Sequence, residues 1–271
     1  MTPGAACRGD RGFALLIVLW TIGILALLTT MLLASARQEA RLTITLRAEA
    51  VDRAAADAVL SEVILDVLRS HPISGALALG PRRVGVVHVS VGLEDLSGRI
   101  NPNLTSAVVL RALLFRLGVP PEAAQTLAAA IVDWRTPRPK TSPDAKAAAY
   151  RAAGLTYGPP GRPFENLDEI GFVLGMNPAL LAALKPHLTL WSTSGPNPAL
   201  ADAVVLTALR AAGVPASARS STMVRVIAMT AVASQPDAPR VVRRAVVRFG
   251  SSPDGRGWRV LAWDSGEDEP E

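Results

Sequence analysis

Apolar and polar positions divide the chain into three regimes. Phe13 to Ala36 is 24 residues without a charge, FALLIVLWTIGILALLTTMLLASA, more than the roughly 20 apolar residues that cross a hydrocarbon core. The run then thins to a periodic pattern. Leu42, Leu46, Ala50, Val51, Ala54, Ala58, Val59, Val63 and Val67 recur at steps of four, one and three, the repeat of one helix face. No Gly or Pro falls between Ile24 and His71. The spacing therefore predicts a single helix from Phe13 to about Arg69, roughly 85 Å long at 1.5 Å per residue, ended by Pro72 and Gly75.

Beyond it the period changes. Val84–Leu93 is rich in β-branched residues and reads as one strand, with His88 as an edge or surface residue. From Pro102 to about Pro215 the pattern turns helical in short pieces: Ser106–Leu117, Pro121–Trp134, Ala145–Ala153, Asn166–Leu174, Pro178–Leu184 and Leu200–Ala212, separated by Gly-Val-Pro, Pro-rich and Asn-Pro breaks. Asp168 and Glu169 fall in a first turn, where negative charge meets the positive helix end. Strands return at Thr222–Ala233, Arg240–Phe249 and Trp258–Asp264, with turns at Ser234–Pro239 and Gly250–Gly257. They read as an antiparallel meander, followed by an acidic tail, Ser265–Glu271.

One segment recurs. Asn101-Pro-Asn-Leu-Thr-Ser-Ala-Val-Val-Leu-Arg-Ala-Leu113 aligns with Asn197-Pro-Ala-Leu-Ala-Asp-Ala-Val-Val-Leu-Thr-Ala-Leu209 at nine of thirteen positions. Each copy follows Ser-Gly and precedes Gly-Val-Pro. A spacing of 96 residues is too long for a solenoid period, and implies one helix-entry unit used at both ends of the helical region.

Composition narrows the function classes. The net charge of +5 is spread along the chain and forms no single basic run, as solubilising charge does. The lone cysteine, Cys7, rules out an internal disulfide and any metal site built on Cys spacing. No nucleophile–base motif, His-Glu-x-x-His or phosphate-binding glycine loop occurs. No enzyme is expected, and no catalytic or cofactor-binding residue is assigned.

The N-terminal junction carries more. Arg8 and Arg11 precede the apolar run and favour a cytoplasmic start, while Arg37, Arg41 and Arg47 follow it. A secretory signal peptide cut near Leu33-Ala34-Ser35-Ala36 and a simple signal anchor are both open. The junction Arg11-Gly12-Phe13-Ala14-Leu15-Leu16 resembles a type IV prepilin leader. That resemblance implies cleavage after Gly12 by a prepilin peptidase, methylation of Phe13 as the new N-terminus, and retention of the helix as anchor and assembly surface. Most such subunits carry Glu at the fifth mature residue; here that position is Ile17. A buried carboxylate needs a partner charge, so an uncharged Ile17 suits a subunit with no neighbour above it, at a filament tip. Gly23, Thr29, Thr30, Ala34 and Ser35 supply small residues for lateral helix contacts.

Further motifs extend the likeness over nearly the whole chain: Asp95-Leu-Ser-Gly-Arg-Ile-Asn-Pro-Asn103, Ala130-Ile-Val-Asp-Trp-Arg135, Tyr157, Pro163-Phe164, Asn166-Leu-Asp-Glu-Ile170, Leu174-Gly-Met-Asn-Pro178 and Leu188-Thr189. Together they resemble the general secretion pathway protein K family, the large minor pseudopilin of type II secretion. The resemblance implies an α+β fold: a long pilin-like N-terminal helix packed on an antiparallel sheet and interrupted by an all-helical, sterile-alpha-motif-like insert. The expected divisions are a leader over 1–12, a transmembrane segment over 13–36, and the rest of the helix with the first strand over 37–101. A two-lobed insert over 102–215 and closing strands with the tail over 216–271 complete them. Implied partners are minor pseudopilins I and J, the major pseudopilin, the inner-membrane assembly platform and the prepilin peptidase. The implied location is the inner membrane, single-pass, with the C-terminal domain in the periplasm, and the implied role is protein transport by capping the pseudopilus tip.

Two points qualify that reading. Relatives continue Asp-Trp-Arg with acidic residues able to hold calcium, whereas here Asp133-Trp134-Arg135-Thr136-Pro137-Arg138-Pro139-Lys140 supplies cations. No metal site or cofactor is expected. Calcium, which wants six or more oxygens, would need Asp133, Asp144, Asp168 and Glu169 to converge. The other role for Asp133 is to accept backbone hydrogen bonds at its helix end, with Trp134 in the core. The alternative function is a membrane-anchored DNA-binding or DNA-uptake protein, because Leu167–Leu181 resembles a helix-hairpin-helix. Gly175-Met176 is followed there by Asn177 where a second glycine belongs, and no stacking aromatics accompany it.

Overall fold

The computed structural model describes residues 10–69, 77–137, 145–214, 224–236, 238–250 and 257–265, with backbone alone at 10–14, 33–42, 77, 78, 145, 146 and 265. A single helix, α1 (Asp10–Arg69), runs for 60 residues, about 90 Å by its rise. Its second half lies on a five-stranded antiparallel sheet with strands in sequence order: β1 (Leu77–Val84), β2 (Val87–Asp95), β3 (Arg225–Ser234), β4 (Val241–Phe249) and β5 (Trp258–Ser265). Between β2 and β3 the chain leaves the sheet and builds a helical lobe from α2 (Ala107–Arg116), α3 (Pro121–Arg135), α4 (Ala145–Ala152), α5 (Pro178–Leu184) and α6 (Ala203–Ala211).

Three expectations are corrected. The single strand over Val84–Leu93 is a hairpin. Arg82 and Arg83 belong to β1, Val84 pairs with Val87, and Gly85 turns the corner at φ 61°, a conformation glycine adopts at no steric cost. The sheet therefore has five strands rather than four, and His88, though exposed, lies on an inner strand. The stretch 166–174 forms a 3₁₀ helix over Leu167–Phe172. The buried face of α1 is also rotated from the expected one. Ala55, Ala56, Val59, Leu60, Val63 and Ile64 are buried, while Leu46 and Val51 are exposed.

The reason for that rotation lies in the sheet. Alternation on β2, burying Val87, Val89, Val91 and Leu93, presents one apolar face, which α1 covers together with Ile227, Met229, Ala231, Ala245 and Val247. Alanines at 55 and 56 let the helix approach closely. Each fully buried Val, Leu or Ile contributes about 1.5–3 kcal/mol. Ion pairs fix α1 at both edges of the sheet: Arg82 of β1 reaches Glu62 at 2.7 Å and Asp66 at 2.8 Å. Asp57 accepts from Arg243 Nε of β4 at 2.8 Å and Trp263 Nε1 of β5 at 3.0 Å. Asp66 and then Glu62 hold the Arg82 guanidinium above its ordinary pKa. One polar residue in the interface is unmatched. Asp52 is fully buried, and neither carboxylate oxygen has a hydrogen-bond partner.

Candidate assembly site

No described residue buries the apolar first half of α1. Leu15–Leu32 is apolar enough to cross a membrane, and none of it is buried. Ile17 is 47% exposed and Trp20 69%. The hydroxyls of Thr21, Thr29 and Thr30 donate to helix carbonyls at 2.8–2.9 Å, so their donors are satisfied without water, as a lipid or protein surround requires. A methyl at Gly23 would meet nothing; no contact within the chain demands glycine there. Gly12 and Phe13 are helical in backbone; the leader before Asp10, the side chains of Ala34 and Ser35, and Asp144 lie outside the described residues.

The second part of the site is the junction holding the helical lobe on the sheet, and the motif residues meet there. Asp95, the last residue of β2, accepts from the Ser97 amide at 2.9 Å through one oxygen and from Arg225 Nε at 2.9 Å through the other. Ser97 Oγ accepts from the Val226 amide at 2.9 Å. The exit from β2 and the return into β3 are thus tied by one knot. At Gly98 an added Cβ would stand 2.2 Å from the Leu200 carbonyl oxygen, so only glycine lets these segments meet. The Asn197 amide donates to Ser97 O at 2.8 Å.

Asn101 and Asn103 do the remaining stitching. Asn101 Nδ2 donates to the Ser192 carbonyl at 2.7 Å and its Oδ1 accepts from the Asn103 amide at 2.8 Å. Asn103 bonds the Phe164 backbone twice, donating to its carbonyl at 2.9 Å and accepting from its amide at 2.8 Å. The side-chain amide does both at once, through its separate NH₂ and carbonyl ends. Phe164 in turn stacks on Trp134, with centroids 6.1 Å apart and planes 3° apart. Arg135 donates to the carbonyls of Pro102, at 2.7 Å, and Thr105, and burial lowers its pKa from the ordinary value. Ile100 and Leu188 form a parallel bridge: Ile100 donates to His187 O and accepts from the Thr189 amide, both at 2.9 Å.

The two copies of the repeat adopt one local structure and pack together. Ser106 caps α2 and Asp202 caps α6. The helices end at Gly118 and Gly213, with φ of 90° and 76°, and the Val119 and Val214 amides bond back to Leu114 O and Leu209 O, the αL termination that glycine favours. Burial pushes the Asp202 carboxyl up, but the Val205 amide and then His187, 2.8 Å away, outweigh it and hold the pKa below the ordinary carboxylate value.

Two of the acidic residues weighed for calcium have other partners. Asp168 pairs with Lys185. Glu169 accepts the amides of Glu165 and Asn166 at 3.1 and 3.2 Å, closing a capping box. Asp133 precedes Trp134, which is buried as expected, and the described residues hold no cluster of three His, Cys, Asp or Glu. The residues that sequence reasoning missed are Arg225, Asp57 and Arg243. Their partners stand 130 and 186 positions away, with no local pattern to mark them.

Comparison with known proteins reaches the same region. Residues 91–193 match the family model described as type II secretion system (T2SS), protein K. No curated protein matches the chain. Among solved structures, a chain of the GspK-GspI-GspJ complex from the enterotoxigenic Escherichia coli type 2 secretion system superposes with a TM-score of 0.57. The alignment covers 86% of this chain and 99% of that one at 16% identity, a likeness of fold.

Proposed function

We infer, from the premise that residues 91–193 belong to the type II secretion protein K family, that the chain is a membrane-anchored minor pseudopilin acting in protein transport. The observation that carries the reading is the coincidence of that family segment with the junction: Asp95, Gly98, Asn101, Asn103, Trp134 and Phe164 all fall inside it and are the residues that fasten the helical lobe to a helix-on-sheet body.

In this reading residues 1–12 are a leader removed after Gly12, Phe13 is methylated, and residues 13–36 lie in the inner membrane with the remainder in the periplasm. Residues 102–215 form the helical insert. The chain caps the pseudopilus with minor pseudopilins I and J, above the major pseudopilin raised by the assembly platform. Two features support the tip position. Ile17 offers no charge to the terminal amine of a subunit above it. The apolar half of α1, unburied within the chain, needs lateral neighbours or lipid to cover it. The fold also resembles a chain taken from a complex of K, I and J subunits.

The test is co-solubilisation of the full chain with its own bacterium's I and J subunits and sizing of the product. A stable complex containing all three is expected. A chain that elutes alone while I and J associate with each other contradicts the reading.

A further inference from the structure

The sheet has a second face, turned away from α1, and strand alternation fixes what it carries. Arg243 reaches Asp57 on α1, so Arg244, Val246 and Arg248 project to the other side. Trp258 and Val260 pack toward α1, so Arg259 projects outward as well. The β4–β5 register sets Arg248 directly opposite Arg259, and Arg244 opposite Asp264. Arg244 and Arg259 are exposed, and Arg248 is half-buried. Among the described residues none of these three arginines makes a hydrogen bond or ion pair. Like charges directly opposite on neighbouring strands destabilise a sheet. The outer side of β4 and β5 thus sets three guanidinium groups against one carboxylate, that of Asp264.

The chain carries the missing charge at the point where it leaves the sheet. β5 ends at Ser265, opposite Arg243, and the sequence continues Gly266-Glu-Asp-Glu-Pro-Glu271. Four of these six residues are acidic and none is basic. Gly266 stands at the exit, where a reversal of direction needs backbone angles that glycine adopts at no steric cost. The reach is sufficient. Five residues beyond Gly266 extend to about 17 Å. Arg244 lies beside the exit, and Arg248 is four residues further along β4, about 14 Å away. Arginine presents a fixed fork that matches a carboxylate. A tethered carboxylate also meets that fork at an effective concentration on the order of millimolar, an advantage that a free anion or a second molecule lacks.

We propose that residues 266–271 fold back over the outer sheet face as an electrostatic strap, the carboxylates of Glu267, Asp268, Glu269 and Glu271 neutralising Arg244, Arg248 and Arg259. The chain reverses at Gly266, and the strap crosses the Arg248–Arg259 pair and relieves its repulsion. The contact lies within one chain and holds whatever the subunit assembles with. Any anion approaching this face competes with one already tethered there. Salt loosens the strap, because exposed charges are screened.

The experiment uses the full chain in detergent, with a photo-crosslinking residue in place of Pro270, which leaves all four carboxylates. Exposed ion pairs add little to stability, so proximity is measured: at about 0.05 M salt the main adduct is expected within one chain, on residues 244–248 or 259–264. Its yield should fall at least about threefold when salt is raised to about 0.5 M. An equal fall is expected at low salt in Arg248→Gln with Arg259→Gln. The same holds for the tail changed by Glu267→Gln, Asp268→Asn, Glu269→Gln and Glu271→Gln. An intrachain adduct whose yield ignores salt is what a slack tether gives, and it overturns the strap. So does a main adduct elsewhere on the chain, on a second copy or on detergent. The salt comparison needs no change to the sheet, so it decides the matter even where the arginine variant unfolds.

Discussion

Asp95 and Arg225 face each other across 130 positions of sequence, the carboxylate receiving the guanidinium at the point where the chain leaves the sheet and the point where it returns. The side chain of Asp95 is 2% exposed and that of Arg225 19%. Their costs of removal should therefore be unequal. Arg225→Ala strands a buried carboxylate with only the Ser97 amide, an expected loss of about 3–5 kcal/mol. Asp95→Ala leaves an arginine that can swing into water, and should lose about 1–3 kcal/mol. Urea unfolding of both variants checks the order. Equal losses, or the reverse order, would show that the pair does not fasten the lobe.

Glycine at 98 is a packing requirement. The Cβ of Gly98→Ala would lie 2.2 Å from a backbone carbonyl and 2.3 Å from its carbon, neither of which can give way as a flexible side chain does. The Leu200 segment must shift, breaking the Asn197–Ser97 bond, for a loss of at least about 3 kcal/mol. Gly92→Ala is the control: a methyl there meets nothing, and stability should change by less than about 1 kcal/mol.

How much of this was legible beforehand follows from the range of each interaction. The C-terminal end of α1 and the last two strands rest on neighbours within a few residues, and the sequence pattern located them. The buried face of α1 did not follow, because its apolar residues serve two surfaces. Val59 and Val63 meet the sheet, whereas Leu46 and Val51 face outward, and a periodicity count merges them. The hairpin at Gly85 was hidden because β1 carries Arg82 and Arg83, whose aliphatic stems lie along a strand while their heads reach helix carboxylates or solvent. Asn101 and Asn103 were visible as a motif, but their partners lie 61 to 91 residues on, and only the folded chain reveals what the amides hold.

Asp52 should be a stability liability. It is fully buried with both oxygens unbonded, and a polar group so placed costs about 1–3 kcal/mol. Asp52→Ala or Asp52→Leu should raise the unfolding midpoint of the chain. A lower midpoint in both would mean that the carboxylate has a stabilising partner.

Charge at the α6 cap should show in the pH dependence. The folded-state pKa of Asp202 lies below its ordinary 3.8. Its contribution is therefore present above the unfolded pKa and is lost as pH falls through the folded value. Asn is as good an N-cap as Asp, so Asp202→Asn removes the charge and keeps the cap. The variant should melt below the parent at pH 6, and the two curves should converge as the pH falls through the folded-state value of Asp202. A difference that persists in acid would assign the effect to the cap hydrogen bonds alone.

The leader and Ile17 make linked demands on assembly. Small size at Gly12 is what a peptidase cleaving between Gly12 and Phe13 would recognise, so Gly12→Arg should leave the chain about 12 residues longer on a denaturing gel and absent from assembled pseudopili. Ile17→Glu is the sharper case. A carboxylate in an apolar helix surface is tolerated only beside a partner charge, and at a tip no terminal amine stands above it. The variant should be processed normally and should give no gain in secretion or pseudopilus length, with a loss expected if the helix packs tightly against its neighbours. Normal-sized mature protein from Gly12→Arg would refute the leader, and longer pseudopili from Ile17→Glu would place the subunit within the fibre.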